Sequence, residues 1–142
     1  MASFEEPGGT KEGAAAVRSA NVSIVVADDN AAVLDLLVLI LQDVADRVIS
    51  FSDGRAAWRA IQTQRPDVAI LDAYMPGLDG VDITRQLRAD PALAGTRVLL
   101  ITGDPDARAA AEAAGADAWL PKPFLPSGLI ATVRELLADR AA

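Results

Sequence analysis

From residue 22 onward, five short apolar runs alternate with five longer stretches of helical periodicity. The runs are almost continuously apolar, which is typical of strands buried on both faces of a parallel sheet. The stretches between them repeat apolar residues three and four positions apart, as amphipathic helices do. The alternation predicts an α/β fold: a (βα)5 three-layer sandwich around a parallel five-stranded sheet. The predicted strands are 22–27, 48–51, 68–71, 98–101 and 118–120, and the predicted helices are 31–44, 54–64, 81–88, 106–114 and 126–138.

The 142 residues are predicted to form one folded domain with an extension at the amino terminus. Residues 1–20 contain Pro7-Gly8-Gly9 and have no periodicity, so we expect a disordered extension there and a single domain over residues 21–142. The extension lacks the apolar segment of a signal peptide. The longest strongly apolar run, residues 36–41, is far shorter than the ~20 residues of a membrane span. A cytoplasmic location is therefore expected.

Polar residues follow four of the predicted strands. Asp28 and Asp29 follow the first strand, Asp72 the third, Thr102 the fourth and Lys122 the fifth. Because ligands of open α/β sheets bind outside the carboxyl ends of the strands, we expect these side chains at one edge. Clustered carboxylates repel one another, and a divalent cation relieves that repulsion. Oxygen ligands of this kind suit Mg²⁺, so the sequence predicts a magnesium site.

Composition restricts the chemistry available at that edge. The chain has no histidine and no cysteine, which excludes imidazole zinc sites, Ser-His-Asp catalysis and thiol nucleophiles. An aspartate carboxylate needs no general base to act as a nucleophile at neutral pH. Asp72 is the predicted nucleophile because it stands alone and precedes a loop that can supply backbone groups. Lys122 and Thr102 offer an ammonium and a hydroxyl to phosphoryl oxygens.

The chain resembles the receiver domain of two-component response regulators over residues 22–138. The order and spacing of several short motifs together carry this resemblance, since each motif alone is weak. The matching segments are Asp28-Asp29, Asp72 with Met75-Pro76-Gly77 and Asp79-Gly80, Thr102-Gly103, and Lys122-Pro123-Phe124. The resemblance implies a flavodoxin-like fold with strand order 2-1-3-4-5.

The resemblance also implies a phosphoryl acceptor and a metal site. Asp72 would accept a phosphoryl group from a phosphohistidine on a sensor histidine kinase or phosphotransfer protein. Asp29, Asp72 and the backbone carbonyl of Tyr74 would ligate Mg²⁺, with Asp28 acting mostly through water. The absence of histidine from this chain fits an acceptor, not a donor.

Further roles at this edge are implied in the same way. Thr102 and Lys122 would contact phosphoryl oxygens, together with the N–H groups of Tyr74 and Gly103. The peptide bond between Lys122 and the following proline would be cis. Trp119 occupies the position of a Tyr or Phe ring that turns inward on activation.

The implied function is a phosphorylation-dependent signalling switch and not an enzyme acting on a diffusible substrate. Phosphorylation would shift the face formed by the fourth helix, fifth strand and fifth helix, and so signal to an unidentified downstream protein. The net charge of −7 argues against direct contact with nucleic acid or an anionic membrane. Dimerisation is left open.

Two alternatives remain open from the residues. A phosphohydrolase of the haloacid-dehalogenase type also uses an Asp nucleophile, but it carries a second Asp two residues later, where this chain has Tyr74. A degenerate receiver would serve only as a docking module, which the complete set of acidic, hydroxyl and lysine residues disfavours.

Overall fold

A computed structural model describes the backbone of residues 21–141 and the side chains of residues 21–139. Each predicted strand and helix is present, with ends that differ from the prediction by no more than three residues. The disorder expected for residues 1–20 falls outside the described residues. No helix in the described range is long and apolar enough to cross a membrane. The strands are β1 Ser23–Ala27, β2 Arg47–Phe51, β3 Val68–Asp72, β4 Arg97–Thr102 and β5 Ala118–Pro121; the α-helices are α1 Ala31–Leu41, α2 Gly54–Gln64, α3 Gly80–Arg88, α4 Ala107–Ala114 and α5 Pro126–Ala141, and a short 3-10 helix spans Pro91–Leu93.

The five strands form one parallel sheet in the order β2-β1-β3-β4-β5, which confirms the predicted flavodoxin-like topology. In the centre of the sheet, Ile70 pairs with Val26 on one side and with Leu99 on the other. Every residue of β3 is buried, because helices cover both faces of the sheet. The continuous apolar runs in the sequence therefore reflect burial on two sides.

Side chains that alternate along β3 supply two separate apolar layers. Ala69 and Leu71 face the layer that includes residues of α2, α3 and α4, whereas Val68 and Ile70 face the layer that includes residues of α1 and α5. Burying a side chain of valine, leucine or isoleucine fully contributes about 1.5–3 kcal/mol. These layers hold the carboxyl edge of the sheet in place. Their fully buried helix residues include Ala57, Ile61, Ile83 and Leu87 on one face, and Leu37, Leu41, Leu129 and Val133 on the other.

Helix α1 begins as the sequence predicts and ends earlier. The side chain of Asn30 accepts hydrogen bonds from the N–H groups of Ala32 and Val33, which caps the first turn. The helix ends at Leu41, not at Val44 as predicted. Val44 is nevertheless buried within the turn that follows, so its apolar character extended the helical pattern past the true end of the helix.

Helix α3 begins with a reciprocal capping arrangement that fixes the end of the loop after β3. The Asp79 carboxylate accepts a hydrogen bond from the Asp82 N–H at 2.9 Å, and the Asp82 carboxylate accepts one from the Asp79 N–H at 3.4 Å. This cap places a defined boundary between the loop of residues 73–79 and the helix.

Candidate functional site

The acidic side chains meet at the carboxyl edge of the sheet, at the ends of β1 and β3. Strand order reverses between β1 and β3, and a crevice at such a switch point is where open α/β sheets bind ligands. Asp28 follows β1 and is 1% exposed, and Asp72 ends β3 and is 7% exposed, whereas Asp29 is exposed. The structure therefore brings together the three predicted carboxylates, two of them inside the protein and one at the surface.

Lys122 lies between the two buried carboxylates. Its Nζ is 2.8 Å from Asp28 Oδ2 and 3.3 Å from Asp72 Oδ2. Both contacts pair the ammonium with a carboxylate oxygen, so one lysine is shared between the two buried carboxylates. The backbone N–H of Lys122 donates to the Thr102 carbonyl at 2.7 Å, which ties the end of β5 to β4. The peptide bond from Lys122 to Pro123 is cis, as the resemblance implied.

The donor set fits a hard divalent cation. One carboxylate oxygen each from Asp28, Asp29 and Asp72 can be chosen so that all lie within 4.8 Å of one another. One ammonium, that of Lys122, is shared between the buried carboxylates of Asp28 and Asp72, and buried charges call for compensation by opposite charge. Oxygen-only ligands with few protein groups are what Mg²⁺ prefers. The residues at this edge therefore fit a bound magnesium ion.

The charges in the cluster are out of balance without a cation. Burial, followed by the nearby Asp28 carboxylate, raises the pKa of Asp72 to about 6, although Lys122 partly opposes this. Burial also disfavours the charge on Lys122, but the carboxylates of Asp28 and Asp72 outweigh it and raise the pKa of the ammonium. One ammonium therefore faces two buried carboxylates, and an added positive charge would favour the ionised form of Asp72.

Backbone and hydroxyl groups surround the central carboxylate. The Tyr74 N–H donates to Asp72 Oδ1 at 3.3 Å. Thr102, at the end of the neighbouring strand, is 2% exposed, and its hydroxyl oxygen accepts the Asp104 N–H at 3.0 Å. Gly103 follows it and lies next to the Lys122 side chain. Tyr74 itself is exposed.

The contact between the Asn30 backbone and the Asp28 side chain was not predicted from the sequence. Its backbone N–H donates to Asp28 Oδ1 at 2.8 Å and fixes that carboxylate on the side away from Lys122. The signal was present in the sequence, because an aspartate commonly accepts the N–H two residues later in a turn. Asn30 therefore both orients Asp28 and caps α1.

Trp119 lies away from the carboxylates. It pairs with Leu100 within the sheet, two positions before Pro121, which pairs with Thr102. The Arg108 guanidinium sits over the indole, 5.8 Å from its centroid, and the indole Nε1 is buried without a hydrogen-bond partner. An open cavity of about 450 Å³ between α4 and β5 is lined in part by both side chains.

The fold and the edge cluster define a doubly wound α/β domain whose acidic cluster, next to a lysine, could hold a metal ion. A family model described as the response regulator receiver domain matches residues 24–134. The chain belongs to the response regulator receiver domain family.

Relatives with known names support this membership. The DNA-binding response regulator MtrA of Mycobacterium tuberculosis is 34% identical over 116 residues, which cover 80% of this chain and 50% of the relative. Response regulator MprA of Mycolicibacterium vanbaalenii is 40% identical over 116 residues, covering 82% of this chain and 50% of that protein. The chain thus spans about half the length of these relatives.

Solved structures agree with the fold. The chemotaxis protein CheY4 of Vibrio cholerae has a TM-score of 0.75 and 30% identity, covering 82% of this chain and 99% of that one. A response regulator from Chloroflexus aurantiacus has a TM-score of 0.78 and 31% identity, covering 84% and 99%. Receiver domains are phosphorylation-dependent signalling switches of two-component systems, and this chain is one of them. The haloacid-dehalogenase alternative is not favoured.

Proposed function

We propose that Asp72 is the phosphoryl acceptor of this receiver domain. The observation that carries the proposal is the buried Asp72 carboxylate at the end of the central strand, 3.3 Å from Lys122 and within one cluster with Asp28 and Asp29. An Asp72 oxygen would form the new bond to phosphorus as the bond from phosphorus to a partner's histidine nitrogen breaks. The bond's electron pair stays on that nitrogen, which then takes up a proton.

The metal in this proposal is Mg²⁺, held by the carboxylates of Asp28, Asp29 and Asp72 and by the backbone carbonyl of Tyr74. Asp28, whose carboxylate is shared with Lys122 and the Asn30 N–H, would act mostly through a bound water. When bound, Mg²⁺ would supply positive charge at the phosphoryl oxygens.

The remaining groups act on the transferring phosphoryl oxygens. Lys122 provides a compact positive charge and is already directed at Asp72. Thr102 provides a hydroxyl whose oxygen accepts a hydrogen bond, which leaves its proton free to donate. The N–H groups of Tyr74 and Gly103 supply further donors. Preorganised donors of this kind stabilise charge spread over a phosphoryl group in transit.

Output would pass through the face formed by α4, β5 and α5. A phosphoryl group on Asp72 attracts the Thr102 hydroxyl, and Thr102 leads directly through residues 103–106 into α4. Two arrangements of α4 and of the Trp119 side chain on β5 would then differ in population. The alanines through which α4 packs, Ala107, Ala111 and Ala114, are small and buried.

The partners follow from the same chemistry. A sensor histidine kinase or a phosphotransfer protein supplies the phosphoryl group, and the absence of histidine from this chain fits an acceptor and not a donor. A downstream protein reads the shifted face, and the formal net charge of −7 makes direct nucleic-acid or membrane contact unfavourable. Catalysis is limited to the domain's own phosphorylation and dephosphorylation. The proposed location is the cytoplasm, and homodimerisation is left to measurement.

Substitution of the acceptor tests this function directly. Asp72→Asn should abolish labelling by radioactive acetyl phosphate, because an amide is not a nucleophile that forms a stable phosphoryl adduct. The matched control is Asp35→Asn, an exposed aspartate of α1, which should be labelled like the unmodified chain. Chelation of divalent cations should prevent labelling of the unmodified chain and of Asp35→Asn. Full labelling of Asp72→Asn would refute the assignment.

A further inference from the structure

Two glycines closely approach the backbone at the ends of the loop that follows Asp72: Gly80 approaches Asp72, and Gly54 approaches Leu78. At the start, a Cβ atom placed on Gly80 would lie 2.4 Å from the Asp72 carbonyl oxygen and 3.0 Å from a Leu100 methyl carbon. At the end, a Cβ atom placed on Gly54 would lie 1.7 Å from the Leu78 carbonyl oxygen and 2.9 Å from its carbonyl carbon. Both distances exclude any side chain without movement of the backbone.

Gly54 is glycine because of this contact and not because of its backbone conformation. It is the first residue of α2, and its φ lies outside the left-handed region, so an alanine would adopt the same helical backbone. Gly77, within the loop, differs, since its φ of +80° is a conformation that favours glycine and nothing lies near its absent side chain. Gly54 begins the helix predicted over residues 54–64, and its contact with Leu78 gives the reason why this position is small.

The Leu78 carbonyl is held at this place by its surroundings. It approaches the amino end of α2, where the helix dipole attracts a partial negative charge. The Leu78 side chain is partly buried against the same apolar layer as β3, and Met75 is buried in that layer. Because these side chains pack into the core, the loop has few alternative positions if the Leu78 backbone is displaced. Tyr74 lies only four residues before Leu78, and its N–H donates to Asp72.

We propose that Gly54 is a positioning residue of the phosphoryl site. By letting α2 approach the Leu78 carbonyl, it sets how close the loop of residues 73–79 lies to Asp72, and so where the Tyr74 N–H and carbonyl stand. This inference rests on the proposed function, in which those two backbone groups serve the phosphoryl group and Mg²⁺. Gly54 itself touches neither.

The test compares Gly54→Ala with Gly128→Ala. A Cβ on Gly128, in α5, meets nothing within 4 Å, so the control introduces the same methyl group without a contact. Labelling by acetyl phosphate is measured over a range of Mg²⁺ concentrations, together with thermal unfolding. We expect Gly54→Ala to raise the half-saturating Mg²⁺ concentration or lower the maximal rate by roughly tenfold or more, since a displacement of about 1 Å can cost ~10²-fold. Gly128→Ala should match the unmodified chain in labelling rate and in Mg²⁺ dependence.

The double variant keeps the test decisive if the single one unfolds. Gly128→Ala replaces a helical glycine by a better helix former and so stabilises α5 without altering the site. Gly54→Ala with Gly128→Ala is then measured well below its unfolding temperature. A folded variant with wild-type rate and Mg²⁺ dependence would overturn the inference, even if its stability had fallen. Absence of labelling in the unmodified chain would instead refute the proposed function itself.

Discussion

Two clusters of opposite charges lie at opposite edges of the same sheet, and they are built on different principles. The acidic site at the carboxyl edge contains Asp28, Asp29, Asp72 and Lys122. The anchor cluster at the amino edge contains Arg88, Arg97 and Asp117. In the first cluster carboxylates outnumber cations, and in the second cations outnumber carboxylates.

The anchor cluster satisfies its carboxylate fully. Asp117 Oδ2 accepts hydrogen bonds from Arg88 and from the Val98 N–H, and Oδ1 is paired with Arg97. Arg88 also donates to the carbonyl oxygens of Gly115 at 2.8 Å and Thr96 at 3.0 Å. One guanidinium thereby joins the end of α3, the start of β4 and the turn after α4, and this cluster serves to hold elements together.

The acidic site leaves a deficit of positive charge instead. Asp28 and Asp72 share the ammonium of Lys122, and the raised pKa of Asp72 records the cost of burying its carboxylate beside that of Asp28. A site of this kind gains from a cation, whereas in the anchor cluster both carboxylate oxygens of Asp117 are already paired. An excess of carboxylates over cations, and not the mere presence of paired charges, therefore distinguishes the acidic site from the anchor cluster.

The largest expected effect on stability is at the anchor cluster. Arg88→Met should lower the free energy of unfolding by about 2–4 kcal/mol, because it removes three hydrogen bonds and leaves Asp117 and two carbonyl groups with fewer partners. Urea denaturation with and without Mg²⁺ should give the same loss. Arg97→Met, which removes one 3.5 Å ion pair, is the matched control and should cost less. A greater loss for Arg97→Met would break the comparison.

A smaller effect of opposite sign is expected at the acidic site. The pKa of Asp72 is raised to about 6 from an ordinary value of 3.8, so the folded state holds this proton more tightly than the unfolded state does. Stability linked to Asp72 therefore falls as the pH rises from about 4 to about 6 and stays low above that. Asp72→Asn removes this penalty and should stabilise the protein by about 1–3 kcal/mol at pH 7 without Mg²⁺.

The same variant should show almost no stabilisation near pH 4, where Asp72 is protonated in the folded state. Urea denaturation from pH 4 to pH 7.5 checks this, with the exposed Asp35→Asn as control. A gain that is equal at both pH values would show that Asp72 carries no buried-charge penalty and that the contrast between the clusters is wrong.

The smallest effect concerns a cation outside both clusters. Arg108 is 67% exposed, contacts Glu112 at 3.3 Å and sits over the Trp119 ring. Arg108→Ala should lower the free energy of unfolding by only about 0.5 kcal/mol, as is usual for exposed pairs and exposed cation–π contacts. Arg59→Ala, at an exposed position of α2, is the control in thermal unfolding. A loss near that of Arg88→Met would mean that exposure does not separate these arginines.

The strands and the acidic edge are predictable from sequence for a clear reason. Strands buried on both faces are continuous apolar runs in the sequence. Residues that follow parallel strands lie at the same edge of the sheet, so the positions of Asp28, Asp72 and Thr102 can be predicted. Strand order is not contained in that pattern, because several crossover arrangements satisfy it. It was available only through the resemblance to receiver domains.

The remaining features depend on tertiary contacts that local sequence does not encode. Arg88 and Asp117 are 29 positions apart, and neither stands in a recognisable motif. The reason for Gly54 lies in a carbonyl group 24 residues further along the chain, at Leu78. The indole of Trp119 was assigned a role from its position, but its contact with Arg108 depends on how α4 packs beside β5.

The unequal exposure of the two consecutive acids has a kinetic consequence. Asp28 is buried while Asp29 is exposed to solvent, so a cation at the proposed metal site would be reached from the side of Asp29. An arriving ion would meet the Asp29 carboxylate first and would exchange part of its hydration shell there before it reached Asp28 and Asp72. The fraction of protein with a bound cation at the proposed site should therefore follow the Mg²⁺ concentration without a slow conformational opening of the protein.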